Sequence, residues 1–196
     1  MGETDYYVIV DKPALLDSQN SKESRYSVVD WLNEKFQFSG LVHRLDFGTS
    51  GLMVCAKNAD AARRLTLALQ RGEVSRVYQA VVLGNILPDQ GEFTAKIGGQ
   101  SALTHFKMLE RFANAALVEV DLETGRKHQI RRHFSDAGHP LLGDHLYGKR
   151  GAARLFTRPA LHACKLTVQG RVYKAPAPHD FQELLARFRL SKAKRS

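Results

Sequence analysis

The feature that most constrains this chain is the irregular order in which two apolar rhythms follow one another. Residues 6–10, 52–56 and 77–83 are short apolar or β-branched runs of the kind that form strands. In residues 116–122, Ala116, Val118, Val120 and Leu122 alternate with their neighbours at a period of two, a further strand. Val28, Leu32 and Phe36 recur at helical spacing, as do Ala62, Leu65 and Leu69. Residues 127–137 form a third helical stretch with Ile130, Phe134 and Ala137 inward. Phe181, Leu184, Leu185 and Phe188 follow Asp180 as a strongly amphipathic helix. A doubly wound sheet needs strands and helices in strict alternation. These elements lack it, so the expected class is α+β.

Local punctuation supports the same elements. Lys12-Pro13 closes the first strand. Ser27, with Asp30 three residues on, reads as a helix N-cap. Asn58 or Asp60 caps the next helix, and Gly72 and Gly138 stand where helices end. Gln169-Gly170 sits between two short strands, 166–168 and 171–173, as a hairpin turn. Residues 17–25 and 40–50 read as loops, and 84–99 as turns. No repeat or linker interrupts the chain, so residues 1–190 are expected to form one domain. Residues 191–196 form a basic tail expected to be disordered.

Charge narrows the partners. Lys and Arg number 29 against 20 Asp and Glu, a net charge of +9 that favours a polyanion. Cys55 and Cys164 each lie in an apolar run without CxxC spacing, so both read as buried, reduced thiols. No run approaches the ~18 apolar residues of a membrane span, and the first residues do not resemble a signal peptide. The expected location is the cytoplasm. GxGxxG, GxxxxGK[ST] and HExxH are absent from the sequence. His128 and His133 are five apart, which does not align two ligands on one helix face. No metal site is expected.

Two stretches carry chemistry. Residues 41–51 place Asp46 between Arg44 and a Gly/Thr/Ser turn, just before an apolar strand. By itself Asp46 reads as a turn former or as an acceptor for nearby backbone N–H groups. Residues 123–133 concentrate Arg126, Lys127, Arg131 and Arg132 at the start of a helix. That is either a solvated basic face or a phosphate-binding segment.

Taken together, these stretches resemble the RluA-type pseudouridine synthases. The family signature His-Arg-Leu-Asp-x-x-Thr-Ser-Gly stands intact as His43-Arg44-Leu45-Asp46-Phe47-Gly48-Thr49-Ser50-Gly51. Thr124-Gly125-Arg126-Lys127-His128-Gln129-Ile130-Arg131-Arg132-His133 is similar to a second block. Gly138-His139-Pro140-Leu141-Leu142-Gly143-Asp144-His145-Leu146-Tyr147-Gly148 is similar to a third, of pattern Gly-x-Pro-x-x-Gly-Asp-x-x-Tyr-Gly. Leu161-His162-Ala163 and Val10-Asp11-Lys12-Pro13 also resemble family segments, so the likeness spans roughly residues 6–178.

The resemblance implies a mixed, largely antiparallel sheet flanked by helices and loops, with a central RNA-binding cleft. It implies that uridines in ribosomal or transfer RNA are isomerised to pseudouridine. Asp46 resembles the nucleophile, and Arg131 the arginine that pairs with it. Tyr78 resembles the tyrosine that packs on the target base, and Arg44 an arginine that holds the base out of the stack. Arg76, Arg126, Lys127, Ile130 and Arg132 are the further candidates for contacting RNA.

The chemistry suits these residues. Breaking the N1–C1′ bond, turning the uracil and joining C5 to C1′ is an isomerisation that consumes no redox partner or energy source. No cofactor is therefore expected. A carboxylate can attack carbon and later leave. Attack on C1′ and a route through sugar deprotonation both stay open. The target base must leave its stack, which aromatic and cationic side chains assist.

Departures from the family are also visible. Arg76 stands two residues before Tyr78, where many relatives have Lys. Many relatives carry an S4-type domain ahead of the catalytic part, and none is expected here. The segment between Gly84 and Thr124 is short. The competing readings are an idle RNA-binding module on the same fold and a metal-dependent hydrolase. The first would not require Asp46, Tyr78 and Arg131 together, and the second lacks ligand spacing. A monomer is the default expectation.

Overall fold

The structure is a computed structural model that describes residues 2–20, 26–38, 40–148 and 155–193. The elements are β1 (Tyr7–Lys12), α1 (Val28–Phe36), β2 (Gly40–Leu41), β3 (Ser50–Ala56), α2 (Ala59–Gln70), β4 (Ser75–Leu83), β5 (Gln90–Phe93), β6 (Thr104–Arg111), β7 (Ala115–Leu122), α3 (Gln129–Asp136), β8 (Leu161–Val168), β9 (Arg171–Lys174) and α4 (His179–Ala193). The fold is α+β, and every strand pairing with a described register is antiparallel. The chain forms two compact units, Met1–Arg76 with Ala163–Ala175, and Val77–His162 with Pro176–Ser196. No helix among the described residues is long and apolar enough to cross a membrane.

In the first unit β3 lies between β1 and β8, with β2 also paired to β3 and β9 to β8. β3 is buried along its whole length, as its unbroken apolar run requires. Tyr7, Ile9, Leu52, Val54, Leu166 and Val168 supply the sheet side of the core, and Ala61 and Leu65 the α2 side. Ser27 caps α1 in a full capping box: its hydroxyl accepts from the Asp30 N–H while the Asp30 carboxylate accepts from the Ser27 N–H. Asn58 caps α2. Gln169 and Gly170 both have positive φ, 51° and 74°. That is the left-handed pair a two-residue hairpin turn requires.

In the second unit the order is β4–β7–β6–β5. Val81, Leu117, Leu142, Phe181, Leu184 and Leu185 pack together, so the apolar face of α4 closes this core. Phe93, Phe106 and Phe134 meet edge-on and stacked on the α3 side.

Several expectations change. The stretch 40–50 begins with strand β2 and ends in β3, and the stretch 84–99 contains β5. β6 carries no clean alternation, because a bulge between Met108 and Glu110 breaks its period and five of its eight side chains are polar. Ala137 is exposed at the C-cap of α3, so of the three apolar residues expected to face inward Ile130 and Phe134 do and Ala137 does not. Cys164 is half-buried rather than buried, while Cys55 is enclosed and its thiol is pushed up to about 12 by burial. α4 runs to Ala193, and residues 194–196 of the basic tail lie outside the described residues.

Candidate active site

The Asp46 loop belongs to the first unit and is braced at nearly every backbone position. Leu45 is a core residue whose N–H and carbonyl both bond to the Ser18 hydroxyl, at 3.1 and 2.7 Å. The Thr49 N–H returns to the Asp46 carbonyl at 3.0 Å, closing a turn over Phe47 and Gly48. Thr49 and Ser50 are buried, and Asp46 itself is half-buried at the turn. Gly51 has φ 110°, and a Cβ there would lie 2.3 Å from the Ala163 carbonyl oxygen. Only glycine fits where β3 starts against β8.

Lys12 adds a brace that its sequence context did not suggest. Its ammonium is fully buried and donates to the carbonyls of Pro13 at 2.9 Å, Leu16 at 2.8 Å and Phe47 at 3.5 Å. A buried charge needs such partners. Here they tie the turn after β1 to the turn that carries Asp46.

His43 accepts the Val54 N–H on Nε2 at 3.0 Å. The proton of the neutral ring therefore sits on Nδ1. Burial, assisted by the charge of Arg76, pushes its pKa down to about 3. His43 is thus a neutral acceptor that ties the signature to β3. Arg44 is exposed. Arg76 is buried, two residues before Tyr78 on β4, so the two side chains share a face of that strand. Tyr78 is buried and pairs in register with Val120 of β7.

In the second unit Arg131 is held in a cage. Its Nε donates to Asp144 Oδ2 at 2.7 Å and one terminal nitrogen to Oδ1 at 2.9 Å. The side chains are 9% and 0% exposed. Such two-pronged pairing fixes the plane of the guanidinium. The Tyr147 ring lies 5.1 Å from it, and the Tyr147 hydroxyl bonds His128 Nδ1 at 3.0 Å. Asp144 Oδ1 also accepts the N–H groups of Leu146 and Tyr147, each at 3.0 Å. Burial raises the Asp144 pKa, but the hydrogen bonds from Arg131, Tyr147 and Leu146 outweigh it, so the carboxyl stays below its ordinary value. Two of the three glycines of this block also have reasons. A Cβ on Gly143 would lie 2.0 Å from the Arg158 carbonyl oxygen, and one on Gly148 2.1 Å from that of Asp144. Asp144 and Tyr147, which hold Arg131, are the site candidates that sequence reasoning missed. The third block held them, but only a long-range partner assigns their role.

The basic block is an internal network as much as a cationic face. Gln129 Oε1 accepts from the Thr124 hydroxyl at 2.8 Å and the Arg126 N–H at 2.9 Å. Its amide nitrogen donates to the Leu103 carbonyl at 3.0 Å and to the Thr104 hydroxyl at 2.9 Å. His133 is buried against the Thr104 hydroxyl and the Ala95 carbonyl, each at 2.9 Å. Arg126 donates its Nε to the Ser101 carbonyl at 3.0 Å. Ile130 lies in the core, Lys127 is exposed and Arg132 is half-exposed. Among the described residues no group of three or more His, Cys, Asp or Glu is placed to hold a metal ion.

Thus Arg44, Asp46 and Arg76 fall in the first unit, while Tyr78, Arg126, Lys127, Ile130, Arg131 and Arg132 fall in the second. A family model described as RNA pseudouridylate synthase matches residues 6–136. A ribosomal large subunit pseudouridine synthase D of Pseudomonas aeruginosa is 36% identical, covering 95% of this chain and 70% of its own. One from Neisseria meningitidis is 40% identical, covering 78% of this chain and 49% of its own. The chain thus spans 49% to 70% of the length of these relatives. A solved structure titled human RNA pseudouridylate synthase domain containing 4 superposes with a TM-score of 0.81 at 23% identity, covering 96% of this chain and 92% of its own. That likeness speaks for the fold, and the sequence matches speak for descent: the chain belongs to the RNA pseudouridylate synthase family.

Proposed function

We propose that this protein isomerises uridine to pseudouridine in structured RNA, with Asp46 as the nucleophile. The observation that carries the reading is the Asp46 turn. It offers the one carboxylate of residues 43–51, half-buried on a backbone braced by Ser18, Lys12 and Gly51. Such bracing is what a group needs when it must meet a sugar carbon in a fixed geometry. Tyr78 packs on the target uracil, and Arg131, as the family resemblance implies, supplies a fixed cation for the charge that develops in the reaction. Arg44, Arg76, Arg126, Lys127 and Arg132 contribute to binding RNA, while Ile130, expected from the sequence to touch RNA, lies in the core and anchors the helix that carries Arg131 and Arg132. The names of the relatives point to large-subunit ribosomal RNA as the first substrate to test, with transfer RNA as the second. The protein acts in the cytoplasm, as a monomer, and without a cofactor.

Tritium release from C5-labelled ribosomal RNA transcripts tests this directly. The wild-type protein releases tritium and forms pseudouridine. Asp46→Asn keeps its shape and its RNA affinity but falls below about a thousandth of that rate, since nucleophile loss is not rescued by binding alone. Residual turnover above that level places the nucleophile elsewhere. Wild-type binding with no tritium release supports an idle RNA-binding module instead.

A further inference from the structure

Two apolar side chains beside Asp46 point at solvent and have no part in the reading above. Phe47 directly follows Asp46 and is 51% exposed. Leu15, in the turn after β1, is 58% exposed. Their backbones meet, with the Leu15 N–H donating to the Phe47 carbonyl at 2.8 Å. Scattered exposed apolar residues are ordinary and carry no message singly. Three observations set this pair apart.

The first is rigidity. The Lys12 ammonium is buried and holds the carbonyls of Pro13, Leu16 and Phe47, so both turns hang from one internal cation. The second is backbone conformation. Leu15 has φ 62°, a left-handed conformation that a branched apolar residue adopts at a cost. Folding places a leucine in solvent there although the geometry suits glycine or asparagine. The third is position. Phe47 directly follows Asp46 in the turn closed by the Thr49 N–H, and exposed Arg44 stands two residues before Asp46 in the chain.

We propose that Leu15 and Phe47 form a preorganised apolar platform for the nucleobase next to the target uridine. The inference rests on Asp46 being the reacting carboxylate. When the target base leaves its stack, its neighbour loses a stacking partner. An exposed aromatic ring held rigidly beside the reacting group replaces that partner without an ordering cost at the moment of binding. Any base can stack on a ring, so this contact strengthens binding and keeps the gap open without reading sequence.

The experiment begins by mapping the modified uridine with the wild-type protein on C5-tritiated ribosomal and transfer RNA transcripts. A labelled hairpin spanning that uridine is then bound to wild type, Phe47→Ala, Phe47→Trp and Leu15→Gly at fixed salt. Phe47→Ala is expected to weaken binding about 5- to 150-fold, the range of one base–aromatic stack. Phe47→Trp stays near wild type, and Leu15→Gly loses a smaller factor with a melting temperature not lowered, since glycine suits the left-handed backbone there. An abasic residue on one side of the target uridine should remove the difference between wild type and Phe47→Ala. Equal affinity of wild type and Phe47→Ala on the intact hairpin overturns the platform. So does a Phe47→Ala loss that persists with an abasic residue on either side. Absence of tritium release by the wild type on every transcript overturns the Asp46 reading itself, and the platform with it.

Discussion

Asp144 changes how Arg131 can work. A long arginine on a helix ordinarily samples many rotamers, and its positive charge would reach a reacting carboxylate only part of the time. Held by both oxygens of a buried Asp144 and faced by the Tyr147 ring, the guanidinium presents one plane. Breaking such a pair by removing one partner leaves a buried charge uncompensated, a cost of about 3–5 kcal/mol. Asp144→Asn is therefore expected to lower stability in urea by an amount of that order and, on the proposal that Arg131 serves the reaction, to slow tritium release by about 10²–10³. The decisive comparison is Asp144→Asn with Arg131→Met and the double variant. If Asp144 acts through Arg131, the double variant turns over little more slowly than either single one, whereas multiplied effects would separate the two residues. His43 makes a different prediction. Its pKa of about 3 lies below its ordinary value of 6.5, so the unfolded chain binds the proton more readily. The stability it contributes is complete above pH 6.5 and drains away as pH falls from there toward 3. His43→Gln retains an acceptor for the Val54 N–H without the titration. Urea midpoints measured between pH 7 and 4 should fall less steeply for this variant, and parallel slopes would show that His43 is not the titrating group.

At the scale of elements, the catalytic signature is an instruction for how β3 begins. Gly51 lets the strand start against the Ala163 backbone, and the residues before it fold back as the Asp46 turn. Gly51→Ala is expected to be costly on two counts. The positive φ of 110° is strained for alanine by roughly 1–3 kcal/mol, and its Cβ meets backbone atoms that cannot swing away. Circular dichroism should show a lowered melting temperature, and turnover should fall more than RNA affinity, because the displaced turn carries Asp46. An alanine variant with wild-type melting and turnover would show that β3 can start without the close approach. The same scale explains what could be read in advance. The capping box of Ser27 and Asp30, the Gln169-Gly170 turn and the apolar face of α4 are local, so spacing alone reveals them. β5 and β6 are not local. Their strand character comes from pairing Gln90–Phe93 with Thr104–Lys107, and neither segment is apolar enough to announce itself. The proposed site shows the same division. Asp46, Tyr78 and Arg131 stand in recognisable blocks, but the buried role of Lys12 depends on carbonyls 1, 4 and 35 residues away. Asp144 and Arg131, 13 residues apart, likewise acquire their roles only on folding.

For the whole molecule, the +9 charge sets how binding responds to salt, but the structure reduces the number of cations that count. Arg131 and Arg158 are buried in pairs with Asp144 and Asp180 and contribute little outward field. Arg64 lies against Asp60 and Arg189 against Glu110 at the surface, each at 2.7 Å. Such pairs release few counterions when RNA arrives, because their charge is already compensated. Of the cluster between Arg126 and Arg132, Lys127 is exposed and Arg132 half-exposed, and Arg44 is exposed beside Asp46. Neutralising about 3–4 phosphates, at ~0.7 per phosphate for single strands, gives a slope of about −2 to −3 for log affinity against log salt. The measurement is a titration of labelled RNA hairpin by the wild-type protein from low to moderate salt, repeated with Lys127→Gln and Arg44→Gln. Each variant should make the slope shallower by about 0.7 if its cation meets a phosphate. A variant that weakens binding with no change of slope contacts a base or a sugar instead. A flat wild-type response would show that stacking and shape hold the RNA, and would assign the excess charge to steering its approach rather than to the bound complex.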